Sequence, residues 1–209
     1  MVHKVIELVN HEAWFEVEQG RLYVKWGHYP KTDGKIDFCI IKNVEVDGKR
    51  GIIGISKDSS ARGALFLEPF PSSYALLEYD KGIFTKTKDG KWLPMDSDEA
   101  RALGFDVEKS YRIIGRAIMF FSDPKPLGKG LELIPSVPNA KLCQEVEVKV
   151  FEDGEPAEAD ITISYLDGKE ELGKRSQVRV PVRNKIVVVK AVIENEGVRE
   201  VSTLTLVGA

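Results

Sequence analysis

The chain has few of the residues on which disulfide, redox and metal chemistry depend. Its 209 residues include two cysteines and three histidines. Cys39 and Cys143 are too few for a disulfide scaffold and do not form a C-x-x-C pair. We expect two buried thiols, and one bridge between them is the alternative for a protein that works outside the cytoplasm.

Long apolar runs and a large excess of positive or negative charge are also missing. No run of 18 apolar residues is present, so the sequence predicts no membrane-spanning helix. The formal net charge is −3, which gives no basic surface for nucleic acid or for anionic lipid. The first four residues are not followed by the apolar segment of a signal peptide, so a secreted protein would have had its signal removed ahead of Met1.

What the chain does contain is a series of short alternating apolar and polar runs, separated by Gly, Asp, Asn and Pro. This pattern predicts a mostly β fold. We expect two β-sandwich domains, residues 1–130 and 131–209, the second immunoglobulin-like or transthyretin-like, with a Pro- and Gly-rich boundary near residues 122–140. At most one short helix is expected in the first domain, at residues 96–104, which have an acidic start and a terminal glycine.

Residues 10–28 are the most informative segment. A two-residue turn at Gln19 and Gly20 predicts a hairpin that pairs Glu18 with Arg21 and brings His11 opposite His28. Successive side chains then alternate between an apolar face and a polar face. A slip of one residue would send the apolar side chains to the wrong face, so the register is well specified.

The two opposed histidines form a candidate metal site, since Cβ atoms of paired residues lie about 4.5–5.5 Å apart. Two imidazoles at that separation can bind one transition metal. A third ligand would come from His3, Glu12, Glu7 or a carboxylate of a later loop. The alternative is that His28 begins a loop, His11 ends a strand, and neither binds anything.

Other chemistry-bearing patterns are weaker. No carboxylate pair at a fixed local spacing, no G-x-S-x-G sequence and no glycine-rich phosphate loop is present, so we expect a binding protein and not an enzyme. A metallo-hydrolase is the least favoured alternative. Trp92, Tyr74, Tyr79 and Phe84 are candidates for a sugar-binding surface, although such aromatics usually belong to the core.

Four segments resemble a known family: HEAW at residues 11–14, WGHYP at residues 26–30, GLELIP at residues 130–135 and VEVKVFEDGEPA at residues 146–157. The family comprises β-rich extracytoplasmic proteins of poorly defined function, often assigned to the periplasmic side of cobalt or nickel uptake systems of the energy-coupling type. The resemblance implies two β-domains, secretion or surface anchoring, and a divalent transition metal as ligand. The family's recurrent histidines fall on His11 and His28.

These observations lead to two functional hypotheses. The first is an extracytoplasmic protein that captures Ni²⁺ or Co²⁺, or else Zn²⁺, and presents it to the components of a membrane transporter. Its ligands would be His11 and His28, completed by His3 or Glu12. The second is a surface structural or adhesion module that binds glycan or protein without metal.

Overall fold

The computed structural model describes residues 8–58 and 63–209, and in these residues the chain is mostly β, as the sequence predicts. The strands in chain order are β1 (Glu12–Glu18), β2 (Arg21–His28), β3 (Lys31–Thr32), β4 (Ile41–Val46), β5 (Lys49–Arg50), β6 (Ile52–Ile55), β7 (Leu65–Glu68), β8 (Tyr74–Thr87), β9 (Trp92–Leu93), β10 (Val107–Phe120), β11 (Leu131–Pro135), β12 (Asn139–Ala140), β13 (Glu145–Glu152), β14 (Glu155–Pro156), β15 (Ala159–Tyr165), β16 (Gly168–Arg175), β17 (Gln177–Pro181), β18 (Ile186–Asn195) and β19 (Val198–Gly208).

The strands form three sheets. The first outer sheet has the order β1-β2-β7-β6, with β3 beside β2. The central sheet has the order β16-β15-β18-β19-β10-β8-β4-β5, with β12 beside β19 and β9 beside β8. The second outer sheet has the order β11-β13-β14, with β17 beside β13.

The central sheet is covered on both faces by apolar clusters. On β10, Ala117 and Met119 pack with the first outer sheet, whereas Ile118 and Phe120 between them pack with the second outer sheet. Successive side chains of a strand point to opposite faces, so this alternation places one core on each side of the central sheet. The molecule is therefore layered, with the central sheet between the two others.

The central sheet contains strands from both sides of residue 130. β10 and β19 are parallel neighbours, in a register that runs from Arg112 opposite Val198 to Ile118 opposite Leu204. The division into two domains at 130/131, and the immunoglobulin-like or transthyretin-like fold of the second, stay predictions. The structure adds that strands of both parts share one hydrogen-bonded sheet.

The predicted boundary segment is anchored by a buried carboxylate. Glu132 is 1% exposed, and its two oxygens accept hydrogen bonds from the backbone N–H groups of Leu127 and Gly128, each at 2.9 Å. Residues 131–135, within this segment, form the short strand β11. The acidic residue of the GLELIP segment thus fixes the loop that leads into the second outer sheet.

The helices in the described residues are short. The expected helix is α1 (Ser97–Ala102), and the side chain of Asp96 caps it by accepting hydrogen bonds from the N–H groups of Asp98 and Glu99. Residues 8–10 are also helical and Phe38–Ile40 form a 3-10 turn, neither of which the sequence pattern indicates. No helix in the described parts of the chain is long and apolar enough to cross a membrane.

The expectation of two buried thiols is wrong. Cys39 and Cys143 are both exposed, and both are free. Cys39 lies in the exposed 3-10 turn, and Cys143 lies in the turn before β13 with a φ of 68°. Neither cysteine belongs to an inward-facing strand position, and this explains why a small apolar side chain is not buried here.

Candidate functional site

The N-terminal hairpin has the predicted register. β1 and β2 pair with Glu18 opposite Arg21 and Ala13 opposite Trp26. Gln19 and Gly20 both have positive φ, at 50° and 74°, which is the backbone of a primed two-residue turn.

One face of the hairpin packs in the core, as expected, but the other face is less open than its polarity indicates. Trp14, on that second face, is fully buried. The Trp14 ring meets the ring of Tyr29 edge-on at 5.8 Å, and Nε1 donates a hydrogen bond to Glu16 at 2.8 Å. The Tyr29 hydroxyl donates to the carbonyl of Ile186 at 2.9 Å, so β18 of the central sheet helps to cover this face.

The hairpin brings His11 and His28 together at its open end. Their ring centroids are 5.0 Å apart, with the planes nearly perpendicular. His11 is buried, at 6% exposure, and its ring also meets Trp26 edge-on at 5.8 Å. His28 is exposed at the end of β2. One imidazole is thus fixed by packing, while the other faces solvent.

Asp33 is a third polar member of this cluster, and sequence reasoning did not name it. Its Oδ2 lies 3.5 Å from Nε2 of His11. β3 folds back on β2, and the N–H of Asp33 donates to the carbonyl of Trp26 at 2.9 Å. Gly27 permits this close approach, because a Cβ atom there would lie 2.8 Å from the nitrogen of Asp33.

The other predicted ligands do not complete a metal cage in the described residues. Glu12 is buried at 7% exposure, and its carboxylate accepts hydrogen bonds from Lys190 at 3.1 and 3.3 Å. His3 and Glu7 lie outside the described residues. Within residues 8–58 and 63–209, no group of three or more His, Cys, Asp or Glu side chains is arranged to hold a metal ion. His11 is instead the common member of two pairs, one with His28 and one with Asp33.

Lys81 lies beside the histidine pair, at an irregularity of the central sheet. In the pairing of β8 with β10, Ile113 is opposite Gly82 and Ile114 is opposite Asp80, so Lys81 is the extra residue of a β-bulge. A bulge redirects the side chain of its extra residue. Lys81 is only 8% exposed, and its Nζ donates hydrogen bonds to the carbonyl of Val9, at 3.0 Å, and to that of His11.

The surroundings of Lys81 disfavour its charged form. Burial lowers the pKa of Lys81 to about 7, the nearby charge of Glu12 raises it, and the positive charges of Arg199 and Lys190 lower it further. The ammonium group lies 5.3 Å from the centroid of the Trp26 ring, a favourable cation–π separation. Lys81 therefore ties residues 9–11 to the central sheet and also places next to the histidines a desolvated amine whose charged form is disfavoured.

These side chains surround a pocket of about 250 Å³ between the hairpin and the central sheet. Its lining residues are Val9, Asn10, His11, Glu12, His28, Lys81, Lys169, Lys190, Val192, Arg199 and Val201. Four of them are lysine or arginine and one is a carboxylate. Basic side chains thus outnumber carboxylates in the lining, although the whole chain has a formal net charge of −3.

Two of the four aromatic side chains considered for a sugar-binding surface lie in the core. Tyr79 and Phe84 are each 2% exposed. Tyr74 is half-buried and its hydroxyl donates to Glu45, while Trp92 is half-buried on β9. The adhesion-module hypothesis stays a prediction, and its aromatic surface would have to be built from Tyr74 or Trp92.

The residues that sequence reasoning missed come from distant strands. Lys81 follows Ala75, Leu77 and Tyr79 at alternate positions of β8, and a lysine that continues a buried face is a signal visible in the sequence. Lys190 and Arg199 have no such signal, because only the pairing of β18 with β19 beside the hairpin brings them to the pocket.

No family model matches the sequence, and no curated protein matches it.

Proposed function

We propose that the protein binds a divalent transition metal, Ni²⁺ or Co²⁺ and alternatively Zn²⁺, at His11 and His28. In this proposal it is an extracytoplasmic binding protein that presents the metal to a membrane transporter. The metal is cargo that binds reversibly, and no catalytic step is assigned to it.

The observation that carries the proposal is the meeting of the two imidazoles at the open end of the hairpin, with ring centroids 5.0 Å apart. Imidazole nitrogen is a donor that nickel, cobalt and zinc all accept. The carboxylate of Asp33, 3.5 Å from Nε2 of His11, is a suitable outer partner, since metal-binding histidines commonly donate their second N–H to a carboxylate.

The different burial of the two histidines also favours reversible capture. His11 is held by packing against Trp26, so its ring is oriented before a metal arrives. His28 is exposed and can turn toward an incoming ion. Remaining coordination positions would be filled by water or by His3. The extracytoplasmic location and the transporter partner are supported only by the family resemblance of residues 11–14, 26–30, 130–135 and 146–157.

Isothermal titration calorimetry with Ni²⁺, Co²⁺ and Zn²⁺ tests the proposal. We expect one metal to bind per chain, and His28→Ala to weaken binding by at least about tenfold, since even the loss of an outer partner of a metal ligand costs about 10- to 100-fold. His28 is the decisive position because its exposed side chain can be removed without opening the core.

The double variant His11→Ala/His28→Ala is expected to lose binding. Because His11 packs against Trp26, the near-ultraviolet circular dichroism of the double variant must first show a native fold. His3→Ala then reports whether the third histidine contributes. Equal heats in the wild type and in His28→Ala, or no heat in the wild type, would overturn the proposal.

A further inference from the structure

The pocket that His11 and His28 help to line also contains several basic side chains. The metal proposal gives these side chains no role. Lys81, Lys169, Lys190 and Arg199 all line it. Three strands of the central sheet and one strand end supply these side chains: β8, β18, β19 and the start of β16. Cations from four separate elements therefore converge on one cavity of about 250 Å³.

The carboxylates nearby only partly balance these charges. Within the pocket, Glu12 pairs with Lys190, at 3.1 Å. Arg199 pairs with Glu194 and Lys169 with Glu171, at 2.8 and 2.6 Å, but neither of those glutamates is among the lining residues. The described hydrogen bonds of Lys81 Nζ go to neutral carbonyl oxygens. The lining itself therefore carries four basic side chains and one carboxylate, while two of the basic side chains have a carboxylate partner outside it.

Placing several basic side chains around one pocket is electrostatically unfavourable where no negative group compensates them. Lys81 is buried, and Lys190 and Arg199 line the same partly desolvated pocket, where electrostatic interactions are stronger than in water. A small anion in the pocket would contact several of these cations at once and would relieve their mutual repulsion. Charge-assisted hydrogen bonds to carboxylate or phosphate oxygens are stronger than those between neutral groups.

We propose that this pocket is a binding site for a small polyanion that bears carboxylate or phosphate groups. Its volume lies below the roughly 300–1,000 Å³ typical of pockets for drug-sized ligands, so the ligand is about the size of phosphate or of a short di- or tricarboxylate. Arg199, Lys190 and Lys169 are its expected contacts, with Lys81 behind them. Because His11 and His28 also line this pocket, anion binding and metal binding are separate proposals for one site, and the anion is tested without metal.

The test is calorimetric titration of the whole chain with inorganic phosphate and, separately, with citrate, in buffer freed of metal ions. We expect saturable binding of at least one of the two, and stronger binding of one shows whether the pocket favours phosphate or carboxylate groups. Arg199→Gln is expected to weaken binding about tenfold, the scale of one lost charge contact in a partly buried site. Glu12→Gln is expected to strengthen it, because this change removes the only carboxylate among the lining residues and frees Lys190.

Opposite effects of these two substitutions exclude a general loss of structure as the cause. Arg179→Gln is the matched control, since Arg179 is an exposed arginine on β17 of the second outer sheet. If Arg199→Gln fails to fold, Lys169→Gln replaces it, because the Lys169 side chain is 64% exposed. No heat with either anion at millimolar concentration, or equal weakening by Arg179→Gln and Arg199→Gln, would overturn the proposal.

Discussion

At the scale of single residues, the side chains that shape the pocket are polar groups in positions where apolar ones would be expected. Lys81 continues the inward-facing row of Ala75, Leu77 and Tyr79 on β8. Burial of an ammonium group is costly unless hydrogen bonds and charges compensate it. The carbonyls of Val9 and His11 provide that compensation, so Lys81 stabilises the segment that carries the first histidine.

The histidine pair could be predicted from sequence because it depends on local geometry. A two-residue turn and alternating polarity fix the register of β1 and β2, and this register places His11 near His28. Asp33 could not be predicted in the same way. Its position depends on how β3 folds back on β2, and the two residues of β3 carry too little pattern to specify that pairing.

Asp47 gives a prediction about pH at this scale. It lies in the turn after β4, and its carboxylate accepts hydrogen bonds from the backbone N–H groups of Ser72, Ser73 and Tyr74, at 2.8, 2.7 and 3.0 Å. Partial burial raises the pKa of Asp47, but these N–H groups and the Ser72 hydroxyl outweigh that effect and lower it to about 2. The charged form is therefore the one that the folded state favours.

We expect Asp47→Asn to lower the free energy of unfolding by about 1 kcal/mol at pH 7, a value reduced for the solvent exposure of this side chain. The pKa is lower in the folded state than in the unfolded state, so this contribution is present above about pH 4 and is lost as the pH falls toward 2. Urea unfolding of both proteins at pH 7 and pH 2 measures it. A difference that stays the same at pH 2 would contradict the assignment.

At the scale of elements, β1 is an edge strand whose outward carbonyl groups are satisfied by side chains of another sheet. The hydroxyl of Thr203 donates to the carbonyl of Ala13 at 2.6 Å, and that of Thr205 donates to the carbonyl of Phe15 at 2.8 Å. Both threonines belong to β19 of the central sheet. The free edge of the hairpin is therefore attached to the layer beneath it, and an exposed edge is avoided.

The alternating pattern of the chain predicts a mostly β fold but does not show that β19 is a central strand. Residues 201–206 are buried at every position, including Ser202, Thr203 and Thr205. Hydroxyl-bearing side chains at alternate positions ordinarily indicate a face exposed to water. Here Thr203 and Thr205 can be buried because their hydroxyls bond to backbone carbonyls of β1, a partner that no local pattern reveals.

Thr203→Val is expected to lower the free energy of unfolding by about 1–2 kcal/mol, because it keeps the shape of the side chain but leaves the buried carbonyl of Ala13 without its donor. Ser202→Ala is the matched control. The Ser202 hydroxyl is buried and has no hydrogen-bond partner among the described residues, so its removal is expected to be nearly neutral. Chemical denaturation of the two variants beside the wild type tests this, and equal losses of stability would contradict it.

At the scale of the whole molecule, the shared central sheet joins the two parts of the chain. Arg116 on β10 strengthens this connection, because its guanidinium donates hydrogen bonds to Glu78 on β8, to Glu200 on β19 and to the carbonyl of Leu131 on β11, at 2.9, 3.2 and 3.2 Å. The mostly β class follows from the alternating pattern and the turns. The layering does not follow, because the pairing of β10 with β19 unites segments far apart in sequence.

We therefore expect the chain to unfold in a single cooperative transition. Hydrogen exchange measured by mass spectrometry at increasing urea should give the same midpoint for β2 in the first outer sheet and for β13 in the second. Both outer sheets pack on one central sheet, so neither is expected to persist without it. Two separated midpoints would instead support two independent domains divided near residue 130.

The position of β19 also affects how the protein is made. In the central sheet β19 lies between β18 and β10, yet it is translated after all the other strands described. Until it emerges from the ribosome, β10 and β18 lack the neighbour that joins them, and the edge of β1 lacks its threonine donors. The growing chain must therefore hold the facing edges of β10 and β18 unpaired in a state that resists aggregation, and the central sheet is completed only after β19 has been synthesised.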